Sequence, residues 1–99
     1  MKIILRTVGG FTGPAGAEVR TIDVDELERE DSLRFRACVA DAGLPALPGR
    51  LLKRSPQPWD FVRHLRIEDG DTVRELEFHD DAAPAPLRAL VEAIEEWRT

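Results

Sequence analysis

The side chains that could carry out chemistry in this chain are few and widely spaced. The two histidines, His64 and His79, lie in or beside segments with strand-like alternation, and neither stands in His-x-x-x-His or Glu-x-x-His spacing. A zinc site built on a helix needs such spacing. His79-Asp80-Asp81 has the composition of an acid/base cluster, but polar residues at a strand end are its more usual interpretation. We therefore predict no enzyme and no cofactor.

Neither the single cysteine nor the glycine-rich segment indicates a reactive site. Cys38 has no second cysteine to pair with, and its spacing from Leu33 and Ala42 predicts a small core residue of a helix. Residues 9–16 (GGFTGPAG) lack the Gly-Lys-Ser/Thr of a P-loop and precede a strand-like segment. This segment is either a flexible turn or a loop that carries Phe11 to a partner, and both interpretations stay open.

Composition excludes several classes of partner. The net charge of −5 and the pI of 5.0 argue against nucleic acid, because phosphate binding needs clustered basic residues. The short basic cluster at residues 50–54 (RLLKR) favours a solvated loop or a docking surface for an acidic partner over a phosphate site. No stretch approaches the roughly 20 apolar residues of a membrane span. The apolar run at residues 3–5 is shorter than a signal peptide requires, so we expect a cytoplasmic protein.

The length and the hydrophobic patterns predict one α+β domain over residues 1–99. Alternation predicts a sheet, and apolar residues at helical spacing predict two helices, the first ending at Gly43 and the second opening near Pro86. Asp69-Gly70 predicts a type I′ hairpin turn. We expect a four-stranded antiparallel sheet with both helices on one face, in the order ββαββα. The expected strands are residues 2–8, 18–24, 61–67 and 72–78, and the first expected helix is residues 31–42.

A long connection at residues 43–59 stands out between these elements. Its four prolines exclude a regular helix and a central strand, and loops of this length are usually functional or disordered. The segment also carries large apolar side chains, which solvated linkers rarely do: Leu44, Leu47, Leu51, Leu52 and Trp59. We expect some of them to fold over the sheet, and we expect Leu44 and Leu47 to be exposed and available to a partner.

Motifs along nearly the whole chain resemble the emfourin family, small bacterial protein inhibitors of thermolysin-like zinc metallopeptidases such as protealysin. These motifs are residues 9–13 (GGFTG), 42–48 (AGLPALP), 59–61 (WDF), 67–70 (IEDG) and 83–91 (APAPLRALV). The chain departs from similar sequences at Leu44-Pro45 and at Arg63, where they carry aromatic residues. Either difference could change the choice of partner.

The resemblance implies a protein inhibitor that binds the active-site cleft of an M4 peptidase through two loops. A thermolysin-like protease has an open zinc coordination position beside a hydrophobic pocket. Asp60, next to Trp59, is the candidate carboxylate for the partner's zinc, although a turn or strand-capping role is an equally good interpretation. Phe11, Leu44 and Leu47 are the candidate groups for the pocket.

An alternative remains open at this point. The same loops could serve a regulatory protein-binding module for another cytoplasmic partner, without any metal. In either case we expect a monomer that recognises a protein and contacts neither nucleic acid nor membrane.

Overall fold

The computed structural model describes residues 1–9, 18–55 and 60–97, and it shows an α+β domain. Within these residues five strands and two α-helices follow one another: β1 (Lys2–Gly9), β2 (Glu18–Asp23), α1 (Arg29–Ala42), β3 (Arg50–Leu51), β4 (Phe61–Asp69), β5 (Thr72–Phe78) and α2 (Ala85–Glu96). The same described ranges contain three short 3₁₀ turns, at Val24–Glu26, Leu44–Ala46 and Asp80–Ala82. No helix within the described ranges has the length and apolar character needed to cross a membrane.

The sheet is mixed and has the strand order β2-β1-β4-β5-β3. The pairs β1–β2, β1–β4 and β4–β5 are antiparallel, so the two predicted hairpins do join through their first strands. The prediction of four strands is wrong, because the short strand β3 adds a fifth, parallel to β5. Both helices lie against one face, as their buried residues share a core with one set of strand residues.

Strand β3 lies inside the Pro-rich connection and could not be recognised by alternation. It has only two residues, and it pairs Leu51 with Phe78. The backbone contact extends beyond these pairs, because the amide of Glu77 donates to the carbonyl of Gly49 at 2.8 Å. Part of the long connection is thereby fixed to the edge of the sheet.

Alternation places one set of strand residues in the core. Leu5, Leu65 and Leu76 form a row across β1, β4 and β5, and each is nearly inaccessible to solvent. The buried residues of α2, spaced along one stripe, cover this row: Leu87, Leu90, Val91, Ala93 and Ile94. No helix of the described part of the chain lies on the opposite face of the sheet, which carries polar residues such as Arg6, His64 and Glu75.

The helix ends follow the sequence signals closely. Helix α1 ends at Gly43, which adopts the left-handed conformation (φ +61°) expected of a C-terminal cap. Helix α2 has proline in its first turn. Trp97 caps α2 and meets Phe35 of α1 edge to face, with ring centroids 5.5 Å apart. The two helices are thus joined by an aromatic pair as well as by the shared core.

The turn between β4 and β5 differs from the predicted type. Asp69 pairs with Thr72, so the two loop residues are Gly70 and Asp71 rather than Asp69 and Gly70. A type I′ turn needs positive φ at both central residues, but among the described residues only glycines have it, and Gly70 has φ +60°. Glycine at the first central position followed by a residue with negative φ fits a type II′ turn.

Candidate protein-binding site

The five residues predicted to contact a partner fall into different parts of the chain. Phe11 and Trp59 lie outside the described residues. Leu44, Leu47 and Asp60 lie within them, but they are not one cluster: the two leucines belong to the segment after α1, whereas Asp60 immediately precedes β4.

The expectation that Leu44 is exposed is wrong. Its side chain is 3% exposed and belongs to the hydrophobic core, and Leu47 is half-buried and packs against the same core. The guanidinium of Arg74 holds this segment on the sheet, since it donates to the carbonyl oxygens of Leu44, at 3.2 Å, and of Leu47. Because Arg74 holds their backbone against β5, the side chains of Leu44 and Leu47 pack in or against the core instead of facing solvent.

Asp60 is held by an ion pair that the sequence did not reveal. The ammonium nitrogen of Lys53 lies 3.0 Å from Oδ2 of Asp60 and 3.2 Å from Oδ2 of Asp81. The Asp60 side chain is only 16% exposed, whereas that of Asp81 is 74% exposed. The hydrogen bond to Asp60, and after it the one to Asp81, raises the pKa of the Lys53 ammonium above its ordinary value. Lys53 is thus shared between an inner and an outer carboxylate.

His79 fixes the backbone of Lys53. The imidazole is 5% exposed, and its Nδ1 accepts a hydrogen bond from the Lys53 amide at 2.9 Å. The amide of His79 itself donates to the carbonyl of Leu51 at 3.0 Å. The segment that follows β3 is therefore fastened to the end of β5 through both the backbone and the ring of His79.

The end of β1 meets this group of residues. Gly9 pairs with Phe61 at the end of the β1–β4 ladder, and a Cβ placed on Gly9 would lie 3.0 Å from the carbonyl oxygen of Asp60. The two segments that carry Phe11 and Trp59 are thus attached to the same end of the sheet, one through Gly9 and the other through Asp60. The tertiary structure brings together two attachment points that lie far apart in sequence.

Two exposed apolar side chains flank the ion pair. Phe61 is 43% exposed and Leu52 is 39% exposed, although residues of this size are usually buried at least in part. We call the group formed by Gly9, Leu52, Lys53, Asp60, Phe61, His79 and Asp81 the Asp60 corner. Sequence reasoning missed Lys53 and Phe61 as site residues, although Phe61 belongs to the WDF motif and Lys53 to the RLLKR cluster.

A second ion network supports the Asp60 corner from the helix-covered side of the sheet. The guanidinium of Arg63 donates to both carboxylate oxygens of Asp80, at 3.0 and 3.1 Å, to the hydroxyl of Thr7 at 2.9 Å, and to Glu95 of α2. Its side chain is only 12% exposed. Burial alone would lower the pKa of Arg63, but the hydrogen bonds to Asp80 and Glu95 outweigh it and raise the pKa.

This network changes the interpretation of Arg63. From the sequence, arginine at this position could change the choice of partner. In the structure its guanidinium instead forms hydrogen bonds within the protein, to Asp80 and Glu95. The same holds for Leu44, which lies in the core. Any effect of either residue on a partner would therefore be indirect.

The three consecutive polar residues after β5 contact three different groups on two residues, Lys53 and Arg63. His79 accepts from the Lys53 amide, Asp80 pairs with Arg63, and Asp81 pairs with the Lys53 side chain. In residues 1–9, 18–55 and 60–97, no group of three or more His, Cys, Asp or Glu side chains is placed to hold a metal ion. What the corner can offer a partner is a carboxylate, an ammonium group and exposed apolar side chains.

Comparison with known proteins supplies one match. The family model described as Emfourin matches residues 5–95, which is nearly the whole chain and includes every described residue of the Asp60 corner. No curated protein and no solved structure matches the chain.

Proposed function

The chain belongs to the Emfourin family, a family of inhibitor domains, and on this premise we propose that it inhibits thermolysin-like M4 zinc metallopeptidases. In this proposal the Asp60 corner enters the active-site cleft of the protease, together with the two loops attached to it. The observation that carries the proposal is that the two loops are attached at neighbouring residues, since Gly9 and Asp60 lie side by side at one end of the sheet. We propose further that the inhibitor acts as a monomer.

The contact with the zinc would be made by Asp60. Its carboxylate is already near a cation, so the partner's zinc would replace the Lys53 ammonium as its counter-charge. Lys53 would keep a partner during this exchange, because Asp81 also lies within ion-pair distance. Removing one partner of an ion pair is costly when the other charge is left alone, and the second carboxylate avoids that cost.

The contact with the hydrophobic pocket would be made by apolar residues around the ion pair. Phe61 and Leu52 are exposed in the free chain, so no core contact is lost when they bind. We propose that Phe11 and Trp59 contribute to the same surface, whereas Leu47, whose carbonyl accepts from Arg74 near the start of β5, is not part of it. Leu44 would act from the core, by holding the segment before β3 in place.

An inhibition assay with a purified thermolysin-like protease tests this assignment. Asp60→Ala, Phe11→Ala and Phe61→Ala are each expected to raise the inhibition constant about tenfold or more, as central interface residues do. Asp69→Ala is the matched control for Asp60, because Asp69 lies at the opposite end of β4 and is exposed. If Asp60→Ala and Phe11→Ala inhibited as well as the unmodified protein, the assignment of these residues would be wrong.

One observation favours a second candidate, a protein-binding module that uses the same corner without a metal. Asp60 already has an ammonium partner, and a partner protein could bind the surrounding apolar surface without breaking that pair. Protease from which the zinc has been chelated separates the two candidates. An inhibitor that ligates zinc should bind the zinc-free protease far more weakly, whereas a metal-independent module should bind both forms equally.

A further inference from the structure

We propose that His79 is the positioning residue of the Asp60 corner: its neutral ring fixes the Lys53 backbone and thereby places the Lys53 ammonium between Asp60 and Asp81. His79 touches no partner in this proposal and acts through Lys53. The inference concerns how the proposed binding site is held in place, so its inhibition readout rests on the proposed function, while its structural readout does not.

The hydrogen bonds around His79 converge on two segments. The Lys53 amide donates to Nδ1 at 2.9 Å, and the His79 amide donates to the Leu51 carbonyl at 3.0 Å. The His79 carbonyl accepts from the amide of Ala82 at 3.0 Å, so the residue also closes the turn that carries Asp81. His79 therefore fixes both the backbone from which the Lys53 side chain extends and the turn that carries Asp81, the more exposed carboxylate partner of Lys53.

His79 can hold the Lys53 amide only while its imidazole ring is neutral. Nδ1 can accept a hydrogen bond only when it carries no proton, so the ring must be neutral with its proton on Nε2. If Nδ1 carried a proton, its N–H would face the N–H of the Lys53 amide. Both groups are donors, so no hydrogen bond could form between them. A half-turn of the ring would present carbon instead of Nδ1 to the amide, so it would not restore the bond.

The ring lies among the charged groups that it helps to position. His79 lines a cavity of about 150 Å³ together with Asp60, Phe61, Asp80 and Asp81. The charged groups around the ring are thus three carboxylates and the Lys53 ammonium, and loss of the bond from the Lys53 amide is expected to loosen the Asp60 corner.

Two substitutions of His79 separate positioning from mere packing. In His79→Asn the side-chain oxygen is attached at the same place as Nδ1, so an acceptor for the Lys53 amide is kept and cannot be protonated. His79→Leu fills space but offers no acceptor. His64→Asn and His64→Leu are the matched controls, because His64 is the chain's other histidine and is exposed on the opposite face of the sheet.

Hydrogen exchange of the Lys53 amide, followed by NMR on the full chain, is the first measurement. We expect protection of this amide in the unmodified protein and in His79→Asn at pH 7.5, and a loss of about tenfold or more in His79→Leu. Equal protection in His79→Leu and the unmodified protein would overturn the proposal.

Inhibition of a thermolysin-like protease at pH 7.5 is the second measurement. His79→Leu should lose about tenfold in affinity, whereas His79→Asn and both His64 variants should inhibit as the unmodified protein does. Equal inhibition by His79→Leu and the unmodified protein would overturn the positioning role of His79 at the binding site. If no variant inhibits, the proposed function fails, and the exchange of the Lys53 amide still decides the role of His79.

Discussion

Lys53 Nζ lies 3.0 Å from Oδ2 of Asp60, so the carboxylate proposed to meet the partner's zinc already has a counter-charge within its own chain. The ion pair joins the segment that follows β3 to the start of β4. Because Lys53 also reaches Asp81, the pair can open without leaving an isolated ammonium. Four predictions test this arrangement and its supports.

Removing the Lys53 ammonium should destabilise the protein in a pH-dependent way. Because the folded-state pKa of Lys53 is raised, its contribution is fully present below the unfolded pKa and is lost as the pH rises through the folded pKa. The difference in free energy of unfolding between the unmodified protein and Lys53→Met should therefore be constant from pH 8 to about 10 and shrink above about 10.5.

Urea denaturation at pH values from 8 to 11.5 measures this difference. Lys2→Met is the control, since Lys2 is the chain's only other lysine and forms no ion pair with the described residues. A difference that grows above pH 10.5 would contradict the prediction.

Arg63→Met should destabilise the fold more than Arg66→Met. Each arginine pairs with two carboxylates, but the Arg63 side chain is 12% exposed and that of Arg66 is 43% exposed. Loss of the Arg63 guanidinium leaves Asp80, Glu95 and Thr7 without their donor, which costs about 1–3 kcal/mol. Chemical denaturation of both variants gives the comparison, and an equal loss would show that the network is not a structural support.

Leu44→Ala should lower the free energy of unfolding by about 2–5 kcal/mol, because it empties a site in the core. Leu33→Ala is the matched control: Leu33 is 56% exposed on α1, and its truncation should change stability by no more than about 0.5 kcal/mol. Thermal or urea denaturation distinguishes them. Had Leu44 been a surface contact for a partner, the two variants would have the same stability.

Gly9→Ala should destabilise the protein more than Gly70→Ala. Both glycines have positive φ, but Gly70 at +60° has open space around it and should cost only about 1–2 kcal/mol. Gly9 has φ +102°, and its added Cβ would approach the carbonyl oxygen of Asp60 to 3.0 Å. Denaturation midpoints show which of the two variants is less stable. If Gly70→Ala were the less stable one, the close approach of β1 to Asp60 would be contradicted.

Several elements were predictable because their signals are local. Alternation in a strand and the 3.6-residue period of a helix depend only on neighbouring residues, so β1, β4 and β5 were assigned close to their observed bounds, and α2 begins close to Pro86 as expected. Glycine at a helix end is equally local, and Gly43 caps α1 as expected. The family resemblance was also carried by local motifs, and the match over residues 5–95 confirms it.

The site was predicted less well, because its contacts join distant parts of the chain. Nothing in the sequence around Asp60 indicates that Lys53 neutralises it, and nothing around His79 indicates that its ring accepts from an amide 26 positions away. Leu44 was expected to be exposed as part of the long Pro-rich connection. In the structure its side chain lies in the core, and Arg74 holds the backbone of that segment against β5.

The sequence by itself determined the α+β class, the amphipathic elements and the family. Only the tertiary structure decided that β3 joins the sheet, that Leu44 is core, and that Gly9, Lys53, Asp60 and His79 meet at one corner. The physical reason is that periodicity records which face of an element is buried, whereas ion pairs and backbone hydrogen bonds between elements depend on the order of the strands. That order, β2-β1-β4-β5-β3, is set when the sheet assembles.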